Sequence, residues 1–176
     1  KKRHVCYIGG IAKIRGIEQL VEAMAQVRTD VRLQLGGRFS DAPLEGRMRE
    51  HPGWVRVDAL GFLDRRGVKA VLERSCAGLV TLHPVENYFD ALPVKMFEYM
   101  SAGVPVIGSN FPLWREIIEG HDCGLCVDPL DPGAIATAID FLVSNPERAE
   151  QMGRKGQRAV HEHFNWAAEA RKLLAF

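Results

Sequence analysis

The stretch "FDALPVKMFEYMSAGVPVIGS", residues 89–109, sets a helix between a polar loop and an apolar strand. Pro93 opens the helix, because a proline at the first helical position forfeits no intrahelical hydrogen bond. Met96 and Met100, four residues apart, pack one helical face inward. "VPVIGS" (104–109) then reads as a buried strand. Asp90 lies in the loop, Lys95 in the first helical turn and Glu98 on the same face three residues on. A cation in that first turn opposes the helix dipole unless something negative sits close. Two readings follow. The helix start is an ordinary solvated one, with a Lys95–Glu98 pair contributing a few tenths of a kcal/mol, or it receives a phosphate-bearing ligand.

Outward from this unit, strand and helix patterns alternate. "HVCYIGG" (4–10), "VRLQLGG" (31–37), "WVRVDAL" (54–60), "AGLVTLHP" (77–84) and "GLCVDP" (124–129) read as further strands. Between them, Ile17, Leu20, Val21 and Met24 recur at helical spacing, a polar helix is expected near 42–50, and Asp64 caps a helix over 64–75. "LWREIIE" is a short helix after the fifth strand. Asp131-Pro132 and Asn145-Pro146 each put a capping side chain before a proline, and Ile135, Ala138, Ile139 and Leu142 line one face after the first of them. Six Val/Leu/Ile-rich strands alternating with helices predict one α/β domain, a parallel sheet covered on both sides. The chain opens almost directly on a strand and closes on "ARKLLAF", as half of a larger protein does when cut at a domain boundary.

Bulk properties narrow the function. With 23 basic and 22 acidic side chains the net charge is +1, so no overall field draws the chain onto nucleic acid or an anionic membrane. The basic start, Lys1-Lys2-Arg3-His4, has no signal-peptide core behind it, and no apolar run approaches the roughly 20 residues of a membrane span. The four cysteines are too scattered for a disulfide scaffold, which fits a reducing cytoplasm. Cys123 and Cys126 form a lone CxxC and read as strand-entry packing.

Open parallel sheets bind ligands beyond the carboxyl ends of their strands. That edge carries Gly9-Gly10, Gly36-Gly37, His83-Pro84, Ser109 and the segment 85–93. Gly9-Gly10 allows close backbone approach to an anion at the next helix, with Arg15-Gly16 adding a guanidinium, or it is simply a tight turn, since "GGIAKIRG" is not GxGxxG. One ligand along the helix start at Pro93 would touch Asp90 at one end, offer phosphates to the amides of Leu92 and Val94 and to Lys95, and reach Glu98 with a diol. A sugar, a diphosphate and a ribose have that layout. His83 is either a ligand contact or a satisfied structural histidine, and Trp114 either borders the pocket or caps the core, the latter preferred.

"ALPVKMFEYMSAGVPVIGS", with the upstream glycine turn and "RG" and the downstream "CGLCVDPLDPGAIATAI", resembles the C-terminal domain of the group 1 retaining glycosyltransferases, of the two-domain GT-B fold. The resemblance implies a Rossmann-like three-layer sandwich with a six-stranded parallel sheet, residues 1–176 forming a single nucleotide-sugar-binding domain whose N-terminal acceptor domain is not in this chain. It implies donor binding by Gly9, Gly10, Arg15, Asp90, Ala91, Leu92, Val94, Lys95 and Glu98, with Asp90, Lys95 and Arg15 at the reacting centre. Glu98 matches the second acid of the family's E-x7-E motif, which holds the ribose; Asp90 is a shortened match to the first, which contacts the sugar. The family's Gly-Arg after the first strand falls on Gly10, so a strand-end cation is expected to be missing, with Lys95 as its replacement, while Arg15-Gly16 matches the family's Lys-Gly. "GFLD" (61–64) resembles the base-binding edge. No metal or cofactor is expected beyond the nucleotide-sugar substrate. The expected setting is cytoplasmic, at most peripheral at the inner membrane face and then through the absent domain, in bacterial surface-glycan synthesis. The competing expectations are half of a nucleotide-sugar epimerase and a non-catalytic nucleotide-binding domain; a dinucleotide oxidoreductase fits least, for want of the glycine fingerprint.

Overall fold

A computed structural model of the chain describes residues 3–165. The expectation for "ARKLLAF" and most of the basic Lys1-Lys2 start lie outside the described residues. Six parallel strands form one sheet: β1 His4–Ile8, β2 Arg32–Gly36, β3 Val57–Gly61, β4 Ser75–Val80, β5 Val106–Ser109 and β6 Gly124–Val127, in the order β3-β2-β1-β4-β5-β6. Helices α1 Ile17–Gln26, α2 Ala42–Glu50, α3 Arg65–Arg74, α4 Glu86–Phe89, α5 Val94–Ser101, α6 Pro112–Ile118, α7 Pro132–Ser144 and α8 Pro146–His163 connect and cover the strands. The order reverses between β1 and β4, which leaves a crevice at their carboxyl ends.

The period of two along β1 builds both layers at once. Val5 and Tyr7 join a core with Leu20, Met24, Ile135 and Ile139 from α1 and α7, while Cys6 joins the opposite core with Val71, Met96, Tyr99 and Met100 from α3 and α5. The helical faces predicted for α1 and α7 are buried as read: Ile17, Leu20, Val21, Met24, Ile135, Ala138, Ile139 and Leu142 are all inside. Burying such a side chain contributes about 1.5–3 kcal/mol each, which is what holds helices of this length onto the sheet.

Two of the three side-chain caps expected from the sequence form. Asp64 accepts from the Gly67 amide at 2.8 Å and Asp131 from Ala134 at 3.1 Å. Three expectations are corrected. The third strand starts at Val57, because Pro52–Arg56 forms a 3-10 turn that holds Trp54 outside the sheet. Asn145 stands at the cap position of α8, but its side chain caps no α8 amide: it is also the C-cap of α7, and its Nδ2 donates back to Phe141 O at 2.8 Å. Pro93 is the cap of α5 rather than its first helical residue, in an extended conformation with φ −69° and ψ 131°. The loop before it also carries the unforeseen turn α4.

β1 and β2 keep pairing past their formal ends. The Gly9 amide donates to Gly36 O at 2.9 Å, the Gly37 amide to Gly61 O at 2.7 Å, and Ile11 bridges Phe39 in parallel. This demands glycine at 37: its φ is +141°, and a Cβ there would lie 1.8 Å from Gly9 O. Gly37→Ala is therefore expected to lower stability by about 3 kcal/mol or more, through a backbone clash added to a disallowed conformation. Urea denaturation measures this; a loss below about 1 kcal/mol would show that the strand-end geometry is otherwise.

Candidate functional site

The crevice beyond β1 and β4 is a cleft of about 360 Å³, walled by Gly9, Arg15 and Tyr88 and floored by the start of α5, with Lys95 and Glu98 along its side. Two contacts fix α5 there. The Tyr99 hydroxyl accepts from the Ile8 amide at 3.0 Å, tying the helix to the carboxyl end of β1. Its ring lies so close to β4 that a Cβ on Gly78 would stand 2.4 Å from it. Burial raises the Tyr99 phenol well above its ordinary value, so it stays neutral. Trp114, fully buried, donates its indole N–H to Ala91 O at 2.7 Å and thereby tethers the loop that leads into α5. Phe111 stacks edge-on against Phe89 at 4.9 Å and holds the same loop from below. Trp114 thus caps the core, as preferred from the sequence, and positions the site's border as well.

No side chain caps the start of α5, and the Met96 amide turns back to Pro93 O at 3.1 Å, which leaves the amides of Val94 and Lys95 ahead of it at the cleft. Lys95 reaches under them. Its Nζ lies 3.9 Å from the Tyr7 ring centroid, is buried, and makes no hydrogen bond. Glycine at 9 makes room for it: a Cβ there would lie 2.8 Å from Nζ. Burial, and then the positive charge of Arg15, push the Lys95 amine down to about 7, with Glu98 acting in the opposite direction. The Tyr7 hydroxyl donates to Gly10 O, and burial pushes its phenol up to about 12 against the lowering effect of Arg15.

Arg15 corrects one expectation. It ends a 3-10 turn, Lys13–Arg15, and Gly16, at φ +84°, lets the chain turn into α1 with Thr81 O only 2.2 Å from where a Cβ would be. The guanidinium then folds back over Gly10, where a Cβ would sit 3.5 Å from its Nη1. The strand end that carries no cation at Gly10 itself is thus faced by the Arg15 guanidinium.

A second hollow of about 290 Å³ adjoins the first through Ile8 and Gly9 and is walled by Gly36-Gly37, Arg38, Phe62 and Leu63. Phe62 is 71% exposed, with the Arg38 guanidinium 5.4 Å above its ring. The "GFLD" edge is thus a flat apolar shelf with a cation at its side. Glu98 is exposed and lines the first cleft. Ala91, Val94 and Pro93 border that cleft, whereas Leu92 is 46% exposed outside its lining and Asp90 sits exposed at the end of α4 on the rim. The structure therefore brings Gly9, Arg15, Lys95 and Glu98 together and leaves Asp90 apart from them. His83 faces α1: its Nε2 is 2.7 Å from Gln19 Oε1, and burial lowers its pKa. Cys123 and Cys126 are held as thiols, pushed by burial up to about 11 and about 12. Among the described residues no group of three or more His, Cys, Asp or Glu is placed to hold a metal ion, and no helix is long and apolar enough to cross a membrane. An apolar hollow of about 310 Å³ at the opposite, amino-terminal end of β4 lacks convergent polar groups.

The comparisons with known proteins bear on this geometry. Residues 1–159 match the family model described as glycosyl transferases group 1. The chain belongs to that family. Among its curated relatives is spore coat protein SA of Bacillus subtilis, 26% identical over 99% of this chain and 48% of the relative. The chain spans about half the length of the curated relatives it matches. Among solved structures, sucrose-phosphate synthase from Thermosynechococcus elongatus superposes with a TM-score of 0.81 at 28% identity, over 99% of this chain and 46% of that one. Anabaena HepE, solved in complex with UDP, gives a TM-score of 0.81 at 18% identity over 99% of this chain and 49% of that one. The α/β Rossmann-like sandwich expected from the resemblance is the fold of this group 1 chain.

The sequence reading missed Tyr7, Tyr88, Tyr99 and Arg38. Tyr99 carried a signal: a tyrosine on the buried face of a helix, next to Met96 and Met100, needs a partner for its hydroxyl. The Lys95 environment gives a test. Below pH 7 the amine is charged in both states and its burial cost is fully present. From pH 7 to about 10.5 the unfolded chain binds a proton that the folded chain does not, so stability rises with pH. Lys95→Met is expected to raise the Tm of the ligand-free protein by roughly 5 °C at pH 7, with the gap closing toward pH 10. Thermal melts across that range check it, and a gap that widens with pH contradicts the buried-amine assignment.

Proposed function

We propose that this chain is the donor-binding half of a retaining glycosyltransferase, one that moves a sugar from a nucleotide-sugar to an acceptor hydroxyl. The observation that carries the reading is the buried Lys95 ammonium site without a hydrogen-bond acceptor, beside Arg15 and the uncapped start of α5. Such a group calls for a multivalent anion, and the adjoining hollow at Phe62 and Arg38 suits a flat base attached to it. Glu98, lining the first cleft, is the ribose ligand of this reading, and Asp90 in the loop before α5 is its sugar contact. The base lies against Phe62, the diphosphate over Gly9, and the sugar toward the loop before α5. HepE, of the same fold, was solved with UDP, which supports a nucleoside diphosphate here.

The chemistry then follows from charge. As the bond from the sugar's anomeric carbon to the diphosphate breaks, the electron pair stays on the leaving phosphate oxygen. Arg15, Lys95 and the amide of Val94 are fixed beforehand around that developing charge, and preorganised donors of this kind stabilise a transition state without reorganising. This arrangement needs no metal ion. The acceptor side belongs to the remainder of a protein about twice this length, and the proposed setting, on the strength of the resemblance alone, is bacterial surface-glycan synthesis on the cytoplasmic side.

Titration with UDP-glucose, GDP-mannose, ADP-glucose and NAD tests the reading. At least one nucleotide-sugar is expected to raise the Tm, by an amount that corresponds to about 2.7 kcal/mol at a hundredfold excess over Kd. NAD is expected to have no effect. Glu98→Ala, exposed and free of structural contacts that would unfold the helix, is expected to weaken that ligand at least about tenfold, the loss of a charge-assisted bidentate contact. An unchanged Kd in Glu98→Ala contradicts the ribose assignment, and stabilisation by NAD alone contradicts the proposed class.

A further inference from the structure

We infer that the crevice takes up a proton when it takes up a diphosphate, with Lys95 as the group that receives it. This rests on the proposed donor site and deepens it: the pyrophosphate is recognised by an amine that its own charge protonates.

The groups that face Lys95 Nζ come from four elements. β1 presents the Tyr7 ring at 3.9 Å, and behind it the Tyr7 hydroxyl is already committed to Gly10 O. Gly9 offers no side chain and stands close enough that any Cβ would strike Nζ. The 3-10 turn presents Arg15, whose charge is permanent. α4 presents Tyr88 and α5 presents Glu98, the only carboxylate among the described residues that line the cleft, in an exposed position. His83, nearest along the edge after β4, is turned to Gln19. The Lys95 ammonium thus meets no hydrogen-bond acceptor among the described residues and has a guanidinium nearby.

A buried ammonium with an aromatic face beside it but no hydrogen-bond acceptor holds its proton weakly. Burial and Arg15 already bring this amine to about 7, so at mildly alkaline pH it is mostly neutral. A phosphate oxygen entering beside Gly9 reverses both influences: it provides the acceptor and it offsets Arg15. The ammonium becomes the favoured form and draws a proton from solvent. A nucleoside without phosphate brings no such charge, so the coupling also discriminates for the diphosphate. Arg15 alone would attract any anion; the pair attracts one that can satisfy both groups at once. Because the diphosphate gains negative charge when the sugar leaves it, the proton is retained through the reaction and released with the product.

Isothermal calorimetry of the purified protein with UDP-glucose, GDP-mannose and ADP-glucose tests this, because their doubly esterified diphosphates carry a fixed charge between pH 6 and 9. Titrations at pH 8 in two buffers of unlike ionisation enthalpy are expected to report uptake approaching one proton. Kd is expected to weaken about tenfold per pH unit above pH 7, since the competent form is the protonated fraction. Lys95→Arg is expected to bind without proton uptake and without that pH dependence, and Lys95→Met to bind more weakly and equally flat. Thermal melts confirm that each variant is folded, and the lysine Cε NMR titration of the wild type, with and without ligand, reads the same group where a variant is not. Binding with no proton uptake overturns the inference and leaves the donor site standing, as does the same uptake in Lys95→Met. Failure of all three ligands to bind at pH 6.5, where Lys95 is charged, overturns the donor site and the inference with it.

Discussion

Two cations share one wall of a cleft, and almost everything at the carboxyl edge of the sheet serves to keep them there. Like charges in a half-dry space repel, and Glu98 on the same cleft offsets only part of this, so the Lys95 amine is still pushed down to about 7. The structure answers by restraint. Tyr99 fastens α5 to the end of β1, Gly78 yields its side-chain volume so that the ring can lie flat against β4, and Trp114 holds the loop before the helix by its carbonyl. Gly9 leaves the space for Lys95, and Gly16 lets the turn that carries Arg15 pass close to Thr81. On the proposed reading, an anion offsets the cost of holding these groups together, the usual relation between a binding site and the fold that carries it.

The reversal of strand order puts this wall where the ligand's length can be accommodated. β1 and β4 diverge at their carboxyl ends, and the continued pairing of residues 9–11 with 36–40 carries the floor sideways to Phe62 and Arg38. The charged cleft and the flat apolar shelf are thereby adjoining parts of one surface. A nucleoside diphosphate is a molecule with one end of each kind, and membership of the group 1 glycosyl transferase family gives such a surface a chemistry.

Much of this was legible in the chain itself. Local signals of high contrast survived intact: the aspartates at 64 and 131 cap the helices they precede, and the apolar stripes of α1 and α7 face inward. What failed depended on competition between near neighbours. Asn145 had two backbone groups in reach and took the carbonyl of Phe141; Pro93 fits equally as cap or first residue, and only the extended run into it decides. Tertiary relations were not readable at all. Nothing in "GGIAKIRG" tells that Arg15 folds back over Gly10, because the turn at Gly16 that makes it do so is dictated by Thr81, sixty-five positions away. The depressed basicity of Lys95 was equally hidden, since it arises from burial among other elements and then from the charge of Arg15.

The central claim is that these two side chains form an anion cradle, and a crystal structure with a bound nucleoside diphosphate examines it most directly. The account expects phosphate oxygens within hydrogen-bonding distance of both Lys95 Nζ and an Arg15 guanidinium nitrogen, with the base against Phe62. A nucleotide seated elsewhere on the molecule, or one whose phosphates leave Lys95 Nζ still pressed on the Tyr7 ring without an acceptor, would contradict it.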